Sequence, residues 1–120
     1  VAGTGFRPLP VAAGPADVHD AEDCLSARSL LALRAEGAVP AVVRTIHHVD
    51  DFRSPVLAEC QRASIADVDH RICVSRHWAE VVARDFGVPA EVIPNGVDAA
   101  RFAAAPAREE ARARLGWDDR

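Results

Sequence analysis

The stretch "AVVRTIHHVDDFRSPVLAECQRASIADVDHRICVSRHW", Ala41 to Trp78, decides the fold. It opens on a β-branched run, Ala41 to His47, which reads as a strand. Ser54 then stands where an N-cap belongs and Pro55 at the first helical position, so "SPVLAECQRASIAD" is expected to be a helix. On it Leu57, Cys60 and Ser64 share a face. "HRICV" is a second strand, and Ser75 caps a second helix, "RHWAEVVARDF". Strand–helix pairs joined by short connections are the signature of parallel βαβ units.

The same rhythm continues on both sides. Upstream, "ADVHDAEDC" gives a short strand, Asp17 to Asp20, running into a polar loop. "SARSLLALRAEG" follows as a helix with Ala27, Leu30, Leu31 and Ala35 on one face and Gly37 as a left-handed C-cap. Downstream, Trp78, Val82 and Phe86 form an apolar stripe that Gly87 ends. "AEVIP" is a further strand, "NGVDAARF" turns out of it, and "AREEARARLG" is a last, mostly polar helix. Right-handed crossovers make this an α/β, Rossmann-like parallel sheet, expected to carry helices on both faces. Val1 to Pro15, rich in Gly and Pro, reads as a loop. Neither end reads as a natural terminus, so the chain is expected to be a piece of a longer protein whose first strands lie upstream.

At 120 residues there is room for one modest core. The net charge of −4, with arginines interspersed among acids, leaves no basic footprint and argues against nucleic acid as a partner. No apolar run is long enough to span a bilayer, and no signal pattern opens the sequence. Cys24, Cys60 and Cys73 are odd in number and widely spaced, without a CxxC pair. They read as buried thiols of a reducing cytoplasm and not as a disulfide framework or a zinc ribbon. Lysine, tyrosine and methionine are absent and alanine is abundant, which reflects GC-rich coding more than physics.

In open parallel sheets, ligands bind outside the carboxyl ends of the strands. That rule selects 20–24, 47–52, 75–77 and 95–98. His47 and His48, as neighbours in extended chain, should point to opposite faces and not share one ion. Asp50 and Asp51 lack the Asx-rich, glycine-turned loop of a hard-cation site. No metal is therefore expected. Ser75 lacks the glycines of a nucleophile elbow and is accounted for by capping. No strand is followed by GxGxxG, so a dinucleotide fingerprint is not supported.

At "VVRTIHHVDDF", "ICVSRHWAEVV" and "VIPNGVDAARF", in this order and spacing, the chain resembles the retaining GT-B glycosyltransferases of family 4. It looks closest to a bacterial subgroup carrying "HAQDC…RTVHHVDDF". The resemblance covers about Ala16 to Phe102. It implies transfer of a sugar from a nucleotide-sugar donor to a sugar, lipid or small-molecule acceptor, with retention and without a metal or other cofactor. Residues 1–97 would be the acceptor-side N-terminal Rossmann-like domain, and 98–120 the linker and start of a C-terminal, donor-binding domain.

His47 takes the place of the family's histidine that contacts the donor sugar, a role of hydrogen bonding and electrostatic positioning. By position Asp23, Asp50 and Asp51 would line the acceptor side. Ser75 and Arg76 open a helix whose N–H groups could meet an anion, and Asn95 and Gly96 mark the hinge. Where the subgroup has a histidine this chain has Asp20, with His19 one residue earlier, and in a strand that slip turns the imidazole to the other face. A non-catalytic α/β binding or interaction module and a GT-B-like sugar-nucleotide epimerase are the alternatives.

Overall fold

The computed structural model describes residues 13–117, so most of the opening loop, Val1 to Pro15, lies outside the described residues. The elements run β1 (His19–Ala21), α1 (Cys24–Ala35), β2 (Val42–Ile46), α2 (Pro55–Ala66), β3 (His70–Cys73), α3 (Arg76–Phe86), β4 (Glu91–Val92), α4 (Ala99–Ala103) and α5 (Arg108–Arg114). The four strands form one parallel sheet in the order β1-β2-β3-β4. Its register sets Ala21 beside Arg44 and Ile46 beside Cys73.

The helix ends follow from local chemistry. Asp23 caps α1, its carboxylate accepting the N–H groups of Leu25 and Ser26 at 2.7 and 2.8 Å. The helix therefore starts earlier than the serine-led reading placed it. At its other end Ala38 donates to Leu33 and Gly37 to Arg34, with Gly37 at φ 75°, a paired left-handed stop. For α2 the proline at the first position sets the start, whereas the Ser54 side chain makes no capping bond. Arg71, from β3, donates its guanidinium to the carbonyls of Ile65, Ala66 and Val68 and so closes the C-terminal end of α2. Ser75 caps α3 through the Trp78 N–H, and Gly87, at φ 69°, ends it.

On β2 the residues alternate as the two-residue period requires: Val42, Arg44 and Ile46 are buried, Val43 and Thr45 half-buried. Val42 packs with Ala21, Ala27, Leu30, Leu31, Val39 and Val68. Ile46 packs with Ile65, Cys73 and Val82, flanked by Trp78 and Phe86. A strand order that runs in one direction brings successive right-handed crossovers to one face, and α1, α2 and α3 lie side by side there. α4 and α5, which follow the last strand, contain no buried residue.

Smaller corrections concern the ends of elements. β1 is His19–Ala21, starting two residues later and ending one later than Asp17 to Asp20, and β4 keeps only Glu91–Val92 of "AEVIP". "NGVDAARF" contains the short helix α4, which Asp98 caps through the Arg101 N–H. Ala35, placed on the inner face of α1, is exposed. No helix of the described residues is long and apolar enough to cross a membrane.

Candidate functional site

A cavity of about 470 Å³ opens at the carboxyl ends of β1 and β2, lined by Glu22, Asp23, Cys24, Leu25, Arg44, His47, His48, Asp50, Phe52, Leu57 and Gln61. It lies where a parallel sheet presents ligands, and it is walled by the first turn of α1, the loop after β2 and one side of α2. Leu25, Phe52 and Leu57 supply apolar surface. The polar groups converge from the strand ends.

His47 follows directly on β2. Its Nε2 lies 3.3 Å from a Glu22 carboxylate oxygen. An ionised carboxylate only accepts, so in the neutral imidazole a proton on Nε2 would meet Glu22 and leave Nδ1 as an acceptor. The imidazole is about a third exposed, open to the cavity and still anchored. His48 Nε2 lies 3.3 Å from Asp50 Oδ1. Both histidines face the same cavity, contrary to the expectation from strand alternation. The reason is that β2 ends at Ile46, so the two-residue period no longer governs the residues beyond it.

The loop carrying these groups is fixed from α2. Gln61 accepts the Asp50 N–H and donates to the Asp50 carbonyl, both at 2.9 Å. One amide side chain thereby satisfies both polar groups of one residue's main chain in a segment with no ladder of its own.

Arg44 forms the floor. It is only 7 % exposed, and its Nη1 donates to the carbonyls of Ala21 and Thr45 at 3.1 and 2.7 Å. Its Nε is buried without a hydrogen-bond partner. Burial lowers its affinity for the proton, and the nearby Asp23, Cys24, Asp20 and Glu22 oppose that shift. The guanidinium stays charged in any case. Asp23, though partial burial disfavours its charged form, is held below the usual carboxylate value by bonds from Ser26 and Leu25 and by the charge of Arg44.

Of the residues singled out from the sequence, His47, Asp23 and Asp50 meet at this cavity. Asp23 spends its carboxylate on the helix cap. Asp51 is exposed and does not line the cavity, and neither do Ser75 or Arg76. Asn95 and Gly96 are exposed beyond β4. His19 sits in a separate hollow, its Nε2 donating to the Gly14 carbonyl at 3.0 Å, while Asp20 accepts the Thr45 hydroxyl. Among the described residues no three His, Cys, Asp or Glu side chains are gathered to hold a metal ion.

Sequence reasoning passed over Arg44, Glu22 and Gln61. Arg44 carried a readable signal, since an arginine between Val42 and Ile46 falls on the inward face of an apolar strand. Glu22 and Gln61 carried none.

A family model described as Glycosyltransferase Family 4 matches residues 14–101, a span that holds every residue lining the cavity. The chain belongs to that family. No curated protein and no solved structure matches it. A family 4 glycosyltransferase domain serves glycosyl transfer, and so a sugar donor and an acceptor. In this one, the open end of the sheet brings a histidine, its carboxylate partner and a buried arginine around a part-apolar hollow.

Proposed function

We propose that the full-length protein moves a sugar from a nucleotide-sugar donor to an acceptor with retention of configuration, and that the cavity is the acceptor-side half of its active site. The observation that carries this is the placement of His47: the position matching the family's donor-contacting histidine, at a strand end, open to the cavity and oriented by Glu22. With Nε2–H committed to Glu22, Nδ1 is available to a donor-sugar hydroxyl. The pair then stabilises positive charge growing at the anomeric carbon by positioned dipoles and a nearby carboxylate. The apolar Leu25, Phe52 and Leu57 exclude water and accept the ring faces of an acceptor sugar or the body of a lipid or small molecule.

The donor's nucleotide would be held by a further, C-terminal domain following the Asn95-Gly96 hinge. We assign no metal to the reaction, since the Nε2 atoms of both cavity histidines already face carboxylates of their own chain. A cytoplasmic site of action fits the free thiols Cys24, Cys60 and Cys73.

The test is made on the full-length protein, screened with UDP- and GDP-linked hexoses for release of nucleoside diphosphate in the presence of candidate acceptors. His47→Ala is expected to cut transfer by roughly 10²-fold or more while leaving the fold intact. Near-normal turnover in that variant would overturn the assignment of His47.

A further inference from the structure

Two of the three cysteines meet beside the cavity, a meeting that their distance in sequence conceals. Cys24 is the first residue of α1 and lines the cavity, half-buried. Cys60 is in the middle of α2, 3 % exposed, and its Sγ donates to the Cys24 carbonyl at 3.3 Å. The Cys60 sulfur therefore rests against the main chain of Cys24, where α1 and α2 pack side by side. The third, Cys73, is fully buried in β3 and packs with Ile46, Ile65 and Val82.

We infer that Cys24 and Cys60 form a reversible disulfide when the protein meets a peroxide, making this pair an oxidation site on the wall of the cavity. Closing the bond requires the sulfurs to approach to about 2.0 Å. The partners sit on two helices that already pack together, and the Cys60 sulfur already touches the Cys24 main chain.

The order of events follows from exposure. Burial and the hydrogen bond to Cys24 push the Cys60 thiol up to about 12, so it stays protonated and shielded. Cys24, at the cavity surface, reacts first. Its sulfur displaces hydroxide from hydrogen peroxide and becomes a sulfenic acid, and one water leaves. Cys60 then attacks the sulfenic sulfur, the S–O bond breaks, and the departing hydroxide takes the Cys60 proton as a second water. Two thiols lose two electrons and two protons, and the peroxide is reduced to two waters. The new bond ties the first turn of α1 to α2 beside Asp23 and Gln61, the two side chains that fix the cavity's walls. Reduction by a small thiol restores it.

The test does not depend on the sugar-transfer reading. The full-length protein is treated with hydrogen peroxide, its remaining thiols are blocked with N-ethylmaleimide under denaturing conditions, and the digest is mapped by mass spectrometry. The expected product is a peptide pair joining Cys24 to Cys60, lighter by two hydrogens and reversed by dithiothreitol, with Cys73 still labelled. In Cys60→Ser, Cys24 should instead be trapped as the sulfenic acid by dimedone. The inference is overturned if wild-type Cys24 proceeds to the sulfinic acid without cross-linking. It is equally overturned if Cys73 is the partner, or if both thiols stay labelled under peroxide that fully oxidises free glutathione.

Discussion

Replacing Gln61 by leucine tests whether one side chain on α2 holds the loop that presents His47, His48 and Asp50. The substitution keeps nearly the same volume, so the packing cost is small. It removes a pair of hydrogen bonds, each 2.9 Å, on the N–H and carbonyl of Asp50. A typical bond of this kind contributes about 0.5–1.5 kcal/mol net. Asp50 is exposed, so its freed peptide groups gain water and the loss falls towards the lower end, about 1–2 kcal/mol for the pair. If that loss is local, the Asp50 amide should exchange its hydrogen roughly 5- to 30-fold faster, at ~1.4 kcal/mol for each tenfold. Amide exchange at Asp50 is the assay, read beside a urea titration of the same protein. Gln61→Glu separates shape from bonding: the carboxylate can still accept the Asp50 N–H but can donate nothing to its carbonyl, so protection should again fall. Unchanged exchange at Asp50 in both variants, with the fold intact, would refute the view that Gln61 orders the loop.

Asp23→Ala should cost about 1 kcal/mol of stability, because two N–H groups of the first turn of α1 lose their acceptor. The effect carries a sign in pH. The Asp23 carboxyl titrates lower in the folded chain than its ordinary 3.8, so its stabilisation is complete above that value and disappears as pH falls through the lower, folded one. Urea titrations of wild type and Asp23→Asn should therefore converge as the pH drops below 3.8, and a gap that widened there would contradict the cap. Gly87→Ala should destabilise by about 1–2 kcal/mol, since the left-handed backbone at φ 69° strains a Cβ even though nothing stands within 4 Å of it. Gly87→Asn should lose less, and equal thermal midpoints for wild type and Gly87→Ala would show that the turn relaxes.

The fold was legible because its signals are local and redundant. Pro55, Gly37 and Gly87 each act through their own backbone, and the β-branched run of β2 needs only its neighbours to bury alternate residues. What local patterns leave out are the contacts that run between elements. Arg71 reaches from β3 to close α2, a bond between residues on two elements that no helix-end pattern shows. Asp69 likewise accepts the Val42 N–H at 2.8 Å and the Arg34 guanidinium at 2.6 Å, joining β2 to α1. Alternation of strands and helices fixes a parallel sheet, but only strand order tells which face each crossover covers.

The candidate site was half legible, and the boundary between the halves is physical. Up to Ile46 the chain belongs to a ladder whose last bond here runs from the Val74 N–H to the Ile46 carbonyl. Within that ladder sequence position dictates direction, which is why Arg44 could have been assigned to the inner face. Beyond it the chain is next held at Asp50, by a side chain eleven residues away on α2. Direction there is set by Glu22 from the end of β1 and Gln61 from α2, not by the period of a strand. His47 and His48 therefore turn into one cavity, where alternation alone would have parted them. The pairing of His47 with Glu22 across two strand ends also sets the imidazole Nε2 against a carboxylate, which neither residue's place in the sequence could specify.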